Sequence, residues 1–153
     1  NLQGADMTRA DFTGARLEKA NARKAKALRA VFTETRLPGA DFQEAELNET
    51  RFQGADLSSA DLQFAQLNRA NLSGANLAGA TLNKAVLVEA DLGGADLSDV
   101  HAYSTNFRGA HLAGANFRNA SPFRAIVDLR WKEYLKTQKL GSDKMFGSIV
   151  WAQ

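Results

Sequence analysis

From Leu2 to Phe117 a large apolar residue or an alanine recurs at every fifth position without one slip of register. These 24 centres are 14 Leu, six Phe, one Met and three Ala (Ala22, Ala27 and Ala102). A second series, at 5, 10, 15 and on to 120, is Ala at 20 of 24 places, and its exceptions (Thr35, Thr50, Val100 and Thr105) are small. A period of five suits neither ordinary element. On a helix it walks around the cylinder, and on a strand an odd step sends successive centres to opposite faces. The chain must bend once per unit, so that each unit turns its apolar pair toward a common axis. That is a solenoid.

The bends have a visible cause. Two residues after the centre, Gly stands at 4, 14, 39, 54, 74, 79, 94, 109 and 114, which is nine of the chain's 12 Gly. A type II turn needs positive φ at its third residue, and Gly supplies this without steric cost.

The unit Ala-(Asp/Asn)-(Leu/Phe)-X-X, as at 55–57, 70–72, 75–77 and 90–92, resembles the pentapeptide-repeat family over residues 1–120. The resemblance implies an all-β solenoid, a right-handed quadrilateral parallel β-helix with four pentapeptides to a coil. It implies about six coils and, at the usual strand spacing, a rod roughly 28 Å long. The most regular core is then Leu57, Leu62, Leu67, Leu72, Leu77, Leu82, Leu87, Leu92 and Leu97. Residues 1–120 form the β-helix and 121–153 a C-terminal capping helix with an apolar tail.

Composition sets further bounds. A chain of 153 residues is long enough for one domain with a real core. There is no Cys, which excludes disulfides and thiolate metal sites. No run of 18 apolar residues exists to cross a membrane. Asn1 is not Met and already sits in repeat phase, so the chain reads as a fragment or a processed product. Net charge is +2 but uneven: +4 over 1–36, −7 over 37–100 and +5 over 101–153.

Residues 21–36 are the least regular, because Ala22 and Ala27 thin the core unless Leu28 or neighbouring coils fill the space. Arg23, Lys24 and Lys26 in this coil form a candidate docking patch, and Glu44, Glu46 and Glu49 begin the acidic waist. With four pentapeptides to a coil, Arg29, Glu49, Arg69 and Glu89 stack in one column of alternating sign. Phe64 occupies a solvent-facing phase and is a candidate contact. His101 and His111 lie two pentapeptides apart, on opposite sides of a square coil, and cannot share a metal or act as a catalytic pair. Without interleaved aromatics or a groove-entering element, the basic residues argue little for nucleic acid.

The repeat stops at Ser121-Pro122, a helix start signal, with Asp128 as a second start. Val127, Trp131, Tyr134 and Leu135 recur at helical spacing, and Gly141 is a stop signal. The tail containing Trp151 either packs beside this helix or joins two copies into a homodimer, and packing is favoured. Nothing in the sequence assembles a catalytic, cofactor or metal site. The reading is a non-catalytic scaffold or protein-interaction module. A second is a DNA mimic binding a type II topoisomerase, as some members of the resembled family do, although a charge of +2 is wrong for it. By family analogy alone, the location is the thylakoid lumen or the cytoplasm of a cyanobacterium or plant plastid.

Overall fold

The computed structural model describes residues 1–153, with Asp143 followed through its backbone only. The residue just before each centre pairs in parallel with its counterpart four pentapeptides further on. Asp6 pairs with Lys26, Asp11 with Val31, Arg16 with Arg36 and Asn21 with Asp41, and the series continues to Asn106 with Ile126. A coil is therefore four pentapeptides, each contributing one short side of a parallel sheet. Backbone bonds run both ways between coils. The Leu72 amide donates to the Asp91 carbonyl at 2.7 Å, and the Asn76 amide to the Ala55 carbonyl at 2.9 Å.

Inside, the nine predicted leucines from Leu57 to Leu97 are fully buried. Thr35, Thr50 and Thr105 are buried too, and their hydroxyls donate to the carbonyls of Phe12, Leu47 and Leu82 at 2.6–2.7 Å. Leu28 does not fill the thin coil; it is exposed. The space is taken by aromatics instead. Phe12, Phe32 and Phe52 stack at 5.0 and 4.8 Å, and Phe42 meets Phe32 and Phe52 edge-on. By register Ala22 stands across the coil from Phe32, so a small centre faces a large one.

Each unit closes with the small residue's amide donating to the centre's carbonyl three residues back, as Ala75 does to Leu72 at 3.0 Å. The turn's third residue has positive φ at every fifth position from Gly4 to Arg124: nine Gly at 63–73° and 16 other residues at 53–60°. A side chain in that region costs about 1–2 kcal/mol relative to the right-handed one. The Asp or Asn before the centre supports the same bend. Its Oδ1 accepts the amide two residues on, as in Asp61 to Gln63 and Asn71 to Ser73, both at 3.0 Å.

The C-terminal part corrects the expected boundary. No helix begins at Ser121-Pro122. Ser121 pairs with His101, Pro122 is buried as a centre and Arg124 takes the positive-φ place. Earlier centres donate their amide to the coil beyond, and Pro has none to donate. In the last coil that loss costs little, because no further regular coil follows.

The next side is strand β1 (Ile126–Asp128), with Val127 buried as its centre rather than on a helix. A 3-10 turn (Leu129–Trp131), helix α1 (Lys132–Thr137), helix α2 (Asp143–Ser148) and strand β2 (Val150–Ala152) complete the chain. β2 lies parallel to β1, pairing Val127 with Trp151. The tail thus returns to the sheet. Leu135 is buried, Trp131, Tyr134 and Trp151 are half-buried against the core, and Phe146 meets Trp151 at 5.4 Å. No helix among the described residues is long and apolar enough to cross a membrane.

Candidate functional site

Because bonds join residues one coil apart, the outer surface divides into four sides. The first carries 1–5, 21–25, 41–45, 61–65, 81–85, 101–105 and 121–125; the second, third and fourth follow, each one pentapeptide further on. The sides differ in their turns. On the third side five of six positive-φ places are Gly (14, 54, 74, 94 and 114), whereas on the first only Gly4 is. The first side instead carries Lys24, Glu44, Phe64, Lys84, Ser104 and Arg124 there. Large exposed apolar residues follow the same division. Within the repeat Phe64, Tyr103 and Phe123 lie on the first side and Leu28 on the second, with none on the third or fourth among the described residues.

The predicted basic and acidic patches come together on these two sides and largely cancel. Arg23 reaches Asp41 at 3.4 Å, Lys24 reaches Glu44 at 3.5 Å and Arg29 reaches Glu49 at 2.7 Å. Lys26 and Glu46 share a backbone bridge without an ion pair. A coil that reads as a cationic patch is therefore neutralised by the coil above it. The alternating column forms two tight pairs, Arg29–Glu49 and Arg69–Glu89, each at 2.7 Å. The hydrogen bond from Arg29 holds the Glu49 carboxyl below its ordinary value. Phe64 lies one coil further along the first side, 46% exposed, with the Lys84 ammonium 5.2 Å from its ring centre.

His101 stands on the first side and His111 on the third. His111 Nδ1 lies 3.0 Å from Asp91 Oδ1. The Asp91 carboxyl is held below its ordinary value first by the Gly93 amide and then by His111. Among the described residues no three His, Asp or Glu side chains gather as a metal site would require. The surface hollows are shallow: those of about 390 and 440 Å³ open on the second side, and one of about 480 Å³ lies at the C-terminal end between Leu135 and Phe146.

At the C-terminal end the candidate cap residues meet one row of backbone groups. In each coil the carbonyl of the small residue accepts an amide from the coil that follows, as Ala95 does from Asn116. The last four such carbonyls, one per side, are Ala110, Ala115, Ala120 and Ala125. They accept respectively the Trp131 indole N–H at 3.0 Å, the Tyr134 hydroxyl at 2.5 Å, the Gly141 amide at 2.9 Å and the Val150 amide at 2.8 Å. Burial raises the Tyr134 pKa above its ordinary value. Gly141 stands here because of close approach: a Cβ would lie 3.1 Å from the Asn119 carbonyl oxygen.

A parallel β-solenoid with a filled core and a built end is the class that this geometry defines. The family models described as "Pentapeptide repeat region" and "Pentapeptide repeats (8 copies)" match residues 5–82, and 65–101 with 103–121, respectively. The chain belongs to the pentapeptide-repeat family. Among solved structures it is similar to alr5209, a pentapeptide repeat protein from Nostoc Pcc 7120. Identity there is 34% over 73% of this chain and 84% of that one, with a TM-score of 0.51. It shares its fold with QnrB1, a plasmid-mediated fluoroquinolone resistance protein, at 22% identity, 84% and 71% coverage and a TM-score of 0.73. A pentapeptide repeat protein from the Arabidopsis thaliana thylakoid lumen matches at 26% identity over 88% and 76%, but its TM-score of 0.29 carries no weight. No curated protein sequence matches.

Proposed function

We propose that the chain is a non-catalytic, rigid protein-interaction scaffold: about six coils of pentapeptide repeat closed by a C-terminal cap, which begins later than residue 121. The observation that carries this reading is the division of roles within the unit. Both apolar positions are spent on a filled core, and the outward positions differ from coil to coil. The acidic residues that catalysis would need are engaged as turn acceptors, as Asp61 and Asp91 are. Chemical cross-linking in a native extract, followed by identification of the joined proteins, tests it; absence of any specific cross-linked partner would overturn it. Turnover abolished by one point substitution would overturn the non-catalytic part.

The second reading, a DNA mimic acting on a type II topoisomerase, has the likeness to QnrB1 in fold alone. Against it stand the net charge of +2 and the neutralising pairs between coils. Absence of quinolone protection in a gyrase supercoiling assay would end it. Homodimerisation through the C-terminal end would have Leu129 and Val150 as its exposed large apolar residues, since β2 pairs with β1 within the chain and Leu135 and Ile149 are buried. Light scattering before and after deletion of residues 142–153 tests that. A thylakoid-lumen or cyanobacterial location rests on family analogy and is checked by fractionation.

A further inference from the structure

Near the cap, the first side carries a feature that the repeat does not need. Tyr103 and Phe123, in adjacent coils, stack face to face on the outside of the rod, with centroids 5.8 Å apart and planes within 8°. They remain 39% and 42% exposed. Their backbone is locked: the Tyr103 amide donates to Asn83 Oδ1 at 2.9 Å, and the Phe123 carbonyl accepts the Ser104 amide at 2.9 Å. Lys84 and Arg124 flank the pair on the same side, both at positive-φ positions where Gly would be less strained. Elsewhere on this side the cations meet carboxylates in the next coil. Lys84 and Arg124 form no ion pair among the described residues, and the Lys84 ammonium lies over the Phe64 ring of the preceding coil at 5.2 Å. Of the carboxylates on the neighbouring second and fourth sides, Asp128 is paired with Arg130 at 3.3 Å and Glu89 with Arg69 at 2.7 Å, Asp96 accepts from the Ser98 amide and Asn116, and Asp99 forms no ion pair with either cation.

We propose that the Tyr103–Phe123 pair, with Lys84 and Arg124, is the docking surface for an acidic peptide segment of a partner protein that carries an apolar or aromatic side chain. This rests on the interaction-scaffold reading and names its site and its partner's chemistry. Rigid aromatics supply contact area at low entropic cost and are enriched among the residues that dominate binding energy. The two unpaired cations select acidic groups beside that anchor and steer their approach. Single-stranded nucleic acid fits less well. A base entering between the rings needs about 6.8 Å, twice the stacking distance, and the rings stand closer than that.

The test is selection of random twelve-residue peptides displayed on phage against the whole chain, followed by anisotropy with the recovered peptides labelled. The expected peptides are acidic with Phe, Trp or Leu. Tyr103→Ser with Phe123→Ser should weaken them at least tenfold. Lys84→Glu with Arg124→Glu should do the same, while Arg51→Ala on the third side leaves them unchanged. All five altered side chains are outside the core, and unchanged thermal melting confirms folding. Recovery of no peptide, recovery of basic or neutral peptides, or affinity indifferent to both double variants overturns the proposal. Oligo(dT) binding that is lost in the same variants overturns it in favour of nucleic acid. If the cross-linked partners persist while the surface variants bind normally, the scaffold reading stands and this site falls.

Discussion

The middle of the rod and its C-terminal end solve one problem in different ways. From Leu57 to Leu97 every side is bonded by a near-copy of itself in the next coil, and one leucine after another fills the axis. At the end no copy follows, and four carbonyls in equivalent places take four unlike donors: an indole, a phenol, a loop amide and a strand amide. A repeat can propagate itself but cannot terminate itself. Its last row of backbone groups must be met one at a time by sequence that does not repeat, since a buried unpaired carbonyl costs about 1–3 kcal/mol.

Substitutions can separate the two regions. Leu77→Ala leaves a cavity between coils that cannot collapse, and should lower unfolding free energy by about 2–5 kcal/mol in urea titration. A loss below about 1 kcal/mol would mean that the axis is not tightly packed. Tyr134→Phe strands the Ala115 carbonyl and should cost about 1–3 kcal/mol, whereas Trp131→Phe should cost less, because the Arg130 guanidinium also donates to the Ala110 carbonyl, at 3.2 Å. Hydrogen exchange should show that loss concentrated in residues 101–128, leaving 57–97 protected; uniform loss would make the cap and body one cooperative unit. Gly141→Ala should act in the same direction as the Tyr134 change, because its Cβ must push the 119–120 backbone away.

The acid response is smaller. Asp91 has its pKa held below the ordinary 3.8 by the Gly93 amide and His111. A depressed carboxyl contributes stability that is present above its unfolded pKa and is lost as pH falls through the folded one. Asp91→Asn keeps the turn acceptor but cannot titrate. Its thermal midpoint should therefore fall less than that of the unaltered chain between about pH 5 and about pH 2, and equal acid slopes would refute the assignment. Smallest of all is Arg69→Ala. It breaks an exposed pair, and the slight change it causes should vanish in high salt.

The axial part of this structure was legible because a period of five admits few solutions. The centre series named the buried leucines and the glycine phase named the bend, while the structure adds that residues other than Gly, such as Phe64, adopt the same positive φ. Two things were hidden. Ser121-Pro122 has the local chemistry of a helix start, yet the repeat runs through it, because a missing amide costs nothing where no coil waits to receive it. β2 has only Val150, Trp151 and Ala152 to announce it, too few residues for any period to show. The cationic coil at 21–36 was misleading for another reason: its carboxylates lie a whole coil away along the chain. The spacing that pairs Arg29 with Glu49 also pairs Lys24 with Glu44.

The length of the coil also acts as an address. A residue's direction from the axis depends on its number modulo the coil, so the chain tolerates some changes of length and not others. Inserting four pentapeptides between positions 70 and 90 would lengthen the rod and leave Phe64 on the same side as Tyr103 and Phe123. Inserting a single pentapeptide, which violates no rule of the repeat and disturbs no core position, would swing everything downstream through a quarter turn. Phe64 would then look away from the aromatic pair, with every side chain intact and the surface scrambled.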